Sequence, residues 1–185
     1  MRIEQTILKD CFLVHDTFFG DDRGYFFESF NRKTFSAQTG LDINFVQDNQ
    51  SMSQKGVLRG LHFQHGDAAQ AKLVRVLKGK VLDVAVDLRR NSESFGKHLA
   101  VELSEDSHTQ LFVPRGFAHG FVVLSEQAVF FYKCDNYYDK STEGGVIYND
   151  KDLAIDWQTP ESEILLSDKD KILPSLKEVV ETLNF

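Results

Sequence analysis

Val81-Leu82-Asp83-Val84-Ala85-Val86-Asp87-Leu88-Arg89, near the middle of the chain, alternates with a period of two. Leu82, Val84, Val86 and Leu88 fall on one face, and Asp83, Ala85, Asp87 and Arg89 on the other, the pattern of a β-strand. Just before it, Leu73 to Leu77 is a second apolar run, joined through Lys78-Gly79-Lys80. A glycine in the middle of so short a link predicts a hairpin with positive φ at Gly79. Leu99, Val101 and Leu103 alternate again, and Phe117 to Leu124 and Val129 to Cys134 flank Ser125-Glu126-Gln127. Further candidate strands are Phe12–His15, Tyr25–Phe30, Asn44–Gln47 and Val57–Phe63. Many short strands with closely spaced turns predict an all-β sandwich or barrel.

Helices are few and peripheral. Asn31 is placed to cap a short helix ending at Gly40. Ser175-Leu176-Lys177-Glu178 is a capping box, and Leu176, Val179, Val180 and Leu183 after it share one helical face. That helix is expected to pack outside the barrel. The stretch from Asn149 to Pro160, with Trp157, reads as a long ordered loop or extra strands. No repeat, low-complexity run or linker divides the 185 residues. One domain over 1–185 is expected, with its β core at about 45–150, N-terminal strands before it and a C-terminal helical tail.

The formal net charge of −7 argues against nucleic acid or an anionic membrane as partner. It leaves room for a small anion held by a few local cations. Cys11 and Cys134 form neither a disulfide framework nor a zinc spacing. No run of 18 apolar residues and no signal-like opening occurs, so a cytoplasmic protein is expected.

Two stretches carry chemistry: Val57-Leu58-Arg59-Gly60-Leu61-His62-Phe63-Gln64 and Val113-Pro114-Arg115-Gly116-Phe117-Ala118-His119-Gly120. Each sets a histidine into an apolar strand, where a lone histidine is usually a packing residue. Arg59, Lys72 and Tyr132 on neighbouring candidate strands change that reading, because isolated buried cations are costly. Together they predict a polar site inside the barrel.

The spacing Pro114-x-Gly116-x-x-His119 resembles the second motif of cupins, which are double-stranded β-helix jelly rolls. Many cupins bind metal through an HxH pair and a later Glu. Here His62 and His65 are three apart, and Lys72 stands where the ligand Glu would be. An ammonium repels a cation, so no metal is expected. The runs Phe45-Val46-Gln47-Asp48-Asn49, Leu58 to Gln64, Lys72-Leu73-Val74-Arg75 and Gly116 to Phe121 closely resemble the dTDP-4-dehydrorhamnose 3,5-epimerase family. Tyr132-Lys133-Cys134, Asn136-Tyr137-Tyr138 and Leu166-Ser167-Asp168-Lys169-Asp170 extend the likeness over nearly the whole chain. Tyr148, where a Trp is usual, and Gln158, where Pro is common, depart from it.

The resemblance implies a cupin-like jelly roll and inversion of the two carbons flanking the C4 ketone of a thymidine-diphosphate 4-keto-6-deoxyglucose. It implies His62 as base with Asp170 as its partner, Lys72 at the enolate oxygen and Tyr132 as the proton donor on the far face. It further implies substrate contacts from Arg23, Glu28, Gln47, Asn49, Arg59, Tyr137, Glu143 and Lys169. His119 is expected to bind substrate or orient a neighbour. The ketone itself holds the electrons, so no cofactor is expected. A homodimer exchanging N-terminal strands is implied, with Arg23 and Glu28 serving the neighbour's pocket. Inversion of C3 or C5 alone, on a related nucleotide sugar, stays open, as does, from another class, a non-catalytic or metal-binding cupin.

Overall fold

A computed structural model describes residues 1–182. Leu183, expected on the apolar face of the last helix, lies outside them. The described residues form thirteen strands and two short α-helices, in two packed sheets and a separate hairpin. The six-stranded sheet has the order β1(Arg2–Gln5), β2(Phe12–His15), β10(Thr109–Val113), β7(Lys72–Lys78), β12(Gln127–Cys134), β5(Gln47–Gln54). The five-stranded sheet has the order β13(Glu143–Gly145), β6(Leu58–Gln64), β11(Phe117–Val123), β8(Lys80–Asp87), β9(His98–Ser104). β3(Phe18–Asp21) and β4(Gly24–Phe27) pair only with each other. The pairings between these strands are antiparallel, a single parallel bridge joins Val57 to Leu165, and core strands adjacent in sequence mostly lie in opposite sheets. This is the jelly-roll arrangement, and the all-β, cupin-like fold class holds.

Gly79 has φ 79°, as expected, but β7 and β8 do not form a hairpin with each other. β7 pairs with β10 and β12, whereas β8 pairs with β9 and β11. The link is a corner that carries the chain from one sheet to the other. Only glycine fits there, since a Cβ would stand 2.1 Å from the Gln127 carbonyl oxygen.

Three apolar layers hold the sheets. Val74, Val76, Leu111 and Phe130 of one sheet meet Val81, Ala85, Phe117 and Phe121 of the other to form the central core. Leu82, Val84, Val86 and Leu88 point the opposite way, against Val146, Tyr148, Leu153, Trp157 and Val179 of the C-terminal segment. The central strand is therefore buried on both faces, which its strict alternation does not reveal. On the far side, Phe35 of α1(Arg32–Thr39) packs with Phe12, Val14, Leu73 and Phe112.

Both helix ends follow their predicted chemistry. Asn31 Oδ1 accepts the Thr34 amide at 3.1 Å, and Gly40 closes α1 at φ 75°. At α2(Leu176–Thr182), the Ser175 amide donates to Glu178 Oε2 at 2.8 Å while the Glu178 amide donates back to Ser175 Oγ. Leu176 and Val179 join the outer layer, so this helix does pack outside the sheets. Residues 149–160 form an ordered loop rather than strands. Tyr148 fills its site by burying its ring and donating to Glu161 Oε1 at 3.0 Å.

Candidate active site

Between the sheets lies a cavity of about 670 Å³. Its walls include Asn49 of β5, Arg59 and His62 of β6, Lys72 of β7, His119 of β11 and Tyr132 of β12. Lys169 and Asp170, from the C-terminal segment, close one side. Packing of Val146 to Trp157 on the outer face of the five-stranded sheet leads the chain back to this opening.

A close approach of two backbones sets the histidines. A Cβ on Gly60 would stand 2.5 Å from the Gly120 Cα, so β6 and β11 touch there without side chains. Beside this contact His62 and His119 are direct partners in the ladder, and the register slips between His119 and Phe121. Each histidine has its own carboxylate. His62 Nε2 lies 2.6 Å from Asp170 Oδ1, and His119 Nε2 lies 2.8 Å from Asp83 Oδ1. The His62 side chain is 27% exposed and His119 only 7%, so the first faces the open cavity and the second its floor. No hydrogen bond among the described residues engages His62 Nδ1.

The electrostatics divide the site. Burial pushes the Asp170 carboxyl up, but the hydrogen bond and charge of His62 outweigh it and hold the group below the usual range. Burial pushes the Tyr132 phenol up, so it keeps its proton at neutral pH. Burial pushes the Lys72 ammonium down, opposed by Cys134, Asp83 and Glu143. Its Nζ lies 5.7 Å from the centre of the Tyr132 ring.

Around the mouth, Arg59 is exposed and its Nε donates to Ser53 Oγ at 3.0 Å. Glu143 pairs with Lys169 and accepts from the Tyr138 hydroxyl at 3.0 Å. Gln47 donates to Asn49 Oδ1 at 3.1 Å and accepts the Tyr138 amide at 3.0 Å. His65, the other half of any HxH-like pair, lies with Tyr137, Tyr138 and Asn136 in a separate surface groove. No group of three His, Cys, Asp or Glu side chains among the described residues converges on a point that could hold a metal ion.

Residues 5–178 match the sequence profile of dTDP-4-dehydrorhamnose 3,5-epimerase. The chain belongs to this family. It is 51% identical over 180 residues, 97% of either chain, to the dTDP-4-dehydrorhamnose 3,5-epimerase of Escherichia coli K12. Among solved structures, that of the epimerase from Elizabethkingia anophelis superposes with a TM-score of 0.94 at 58% identity, covering 96% of this chain and 97% of the other. The Legionella pneumophila enzyme, solved in complex with dTDP-4-keto-L-rhamnose, superposes with a TM-score of 0.93 at 45% identity, covering 98% and 96%.

Against the family expectation, eight of the predicted site residues gather round one cavity: Asn49, Arg59, His62, Lys72, His119, Tyr132, Lys169 and Asp170. Gln47 and Glu143 stand one hydrogen bond or ion pair behind that wall. Tyr137 is exposed in the neighbouring groove. Arg23 and Glu28 do not reach the cavity of their own chain. Arg23 projects from the β3–β4 hairpin and pairs with Asp21, and Glu28 accepts from Asn31 Nδ2 at 3.1 Å. Residue reasoning missed Asp83, Ser53 and Tyr138 as parts of the site. Asp83 was findable: an acid on the inward face of a central strand needs a partner, and His119 is two strand positions away in the ladder.

Proposed function

We propose that this chain is a cofactor-independent isomerase that converts dTDP-4-dehydro-6-deoxy-D-glucose to dTDP-4-dehydro-L-rhamnose by inverting C3 and C5. One observation carries the reading: His62 and Tyr132 line a single cavity from opposite sheets, with Lys72 beside the tyrosine. Inversion needs a base on one face of the sugar and an acid on the other, and the two sheets supply them.

His62, held by Asp170, takes the proton from the carbon beside the ketone. The C–H electron pair moves into the ring and the ketone becomes an enolate. The Lys72 ammonium faces the developing oxyanion, the kind of fixed charge that is usually the largest catalytic contribution. Tyr132 then delivers its proton to the opposite face of the same carbon, the ketone re-forms, and solvent resets both groups. Repeating the cycle at the second carbon completes the reaction with no change of oxidation state. A positioned base of this kind contributes about 10²–10⁴ in rate.

Arg59 at the mouth supports a grip on the diphosphate, and Tyr137 in the adjoining groove supports stacking on the base. The exposed rings of Phe18, Phe19, Tyr25 and Phe26 on the β3–β4 hairpin support a homodimer in which this arm crosses to a second copy. Arg23 and Glu28 then enter the neighbour's cavity. Among the described residues no helix is long and apolar enough to cross a membrane, and a cytoplasmic location fits a nucleotide-sugar substrate. In heavy water, the purified protein is expected to place deuterium at both C3 and C5 of the product. Label at one carbon alone overturns the double inversion.

A further inference from the structure

Asp83 Oδ2 is the one buried side-chain polar atom among the described residues that has no hydrogen-bond partner. The carboxylate is fully buried one hydrogen bond behind the cavity wall, and only its Oδ1 is engaged, by His119. Such a group is costly to bury unless a second positive charge answers it. Lys72 lines the same cavity as His119, the residue that Asp83 holds, and it is in the converse position, since no hydrogen bond from its Nζ to an acceptor occurs among the described residues. Asp83 acts on the Lys72 charge electrostatically.

The other groups facing Lys72 do not balance it. Cys134, opposite it in the β7–β12 ladder, has its thiol pushed up to about 11 by burial and stays neutral. Glu143 is engaged on both oxygens, by Lys169 and Tyr138. Tyr132 on the same sheet keeps its proton. Asp170 is taken by His62, and Arg59, Lys169 and the histidines are themselves donors or cations.

We propose that Asp83 is a positioning residue for two groups at once: Oδ1 aims His119, and Oδ2 is the countercharge of the Lys72 ammonium. In this arrangement the ammonium that meets the enolate is kept charged from behind, through a carboxylate the substrate never touches. The inference rests on the proposed epimerase chemistry for its consequence, though not for its physical content.

The test is Asp83→Asn, which keeps the shape and the bond to His119 while removing the charge. The titration of Lys72, followed by its side-chain ¹³C resonance in the full-length protein, is expected to fall by about one pH unit or more. The kcat for the keto-sugar is expected to fall about 10-fold or more, with KM changed far less. An unmoved Lys72 titration overturns the proposal whether or not the protein is active. So does a fall of the Lys72 titration of equal size in His119→Asn, which would mean that Asp83 acts on Lys72 through the histidine alone. If wild-type protein shows no turnover while the Lys72 titration still moves, the epimerase reading fails and the countercharge stands. Should Asp83→Asn not fold, Asp83→Glu is measured instead: a Lys72 titration within half a unit of wild type is expected, and a fall as large as that predicted for Asn overturns the proposal.

Discussion

At the scale of single residues, burial decides what each carboxylate does. Asp170 is held ionised by its hydrogen bond with His62, and Glu143 by Lys169 and the Tyr138 hydroxyl. Asp16, at the base of the β3–β4 arm, goes the other way. Burial pushes it up to about 6, against the opposing influence of Arg75 and the hydrogen bonds it accepts from Gln110 Nε2 at 2.9 and 3.1 Å. A folded carboxyl that titrates above its ordinary value holds a proton more tightly than the unfolded chain does. The folded state therefore loses stability as pH rises from the ordinary carboxylate range through about 6. Asp16→Asn is expected to raise the urea midpoint at pH 8 and to leave it unchanged near pH 4. A lower midpoint at pH 8 would mean that the ionised carboxylate is a net stabiliser through Arg75.

At the scale of elements, the legible parts of the sequence were those whose local pattern matches their surroundings. β2, the run around β7 and β8, β9, β11 and β12 were all visible as apolar or alternating runs, and both helix caps were readable from Asn31 and Ser175. β5 was not: it was placed at Asn44–Gln47, whereas it occupies Gln47–Gln54, Gln-Asp-Asn-Gln-Ser-Met-Ser-Gln. Its inward side chains, Asn49, Ser51 and Ser53, face the cavity or its neighbours rather than an apolar core, so hydrophobic periodicity is silent there. β1 and β10 were missed because short edge and crossover strands get their order from a partner far along the chain. Tyr25–Phe30 was placed too late, since β4 is Gly24–Phe27 and its aromatic rings lie in solvent rather than in a core. Within the site, histidine in an apolar strand was readable directly. Asp170 was not, because the Ser-Asp-Lys-Asp run around it looks like ordinary surface. Only the return of the C-terminal segment over the outer layer brings it to 2.6 Å from His62.

At the scale of the whole molecule, the residues of the site that stay away are as informative as those that gather. Arg23 is 90% exposed on an arm whose Phe19, Tyr25 and Phe26 rings are largely in solvent, although Phe18 stacks on His108 and Phe27 lies under the Arg75 guanidinium. If that arm serves a second copy, two crippled subunits can repair each other. Arg23→Ala and His62→Asn chains, each weak or inactive alone, are expected to regain up to about half of the wild-type activity per mixed dimer, because one of its two sites then combines intact His62 with intact Arg23 of the partner subunit. No recovery on mixing would place Arg23 in its own chain's site or outside the chemistry altogether.

The arrangement of the two faces can be read out by uncoupling them. In heavy water, Tyr132→Phe should still exchange the sugar's C3 and C5 protons with solvent, because His62 can abstract and return them on one side, while the configuration at both carbons is retained. His62→Asn should neither exchange nor invert. Tyr132→Phe protein that inverts C3 or C5 at the wild-type rate would contradict the two-sided cavity as the source of the stereochemistry.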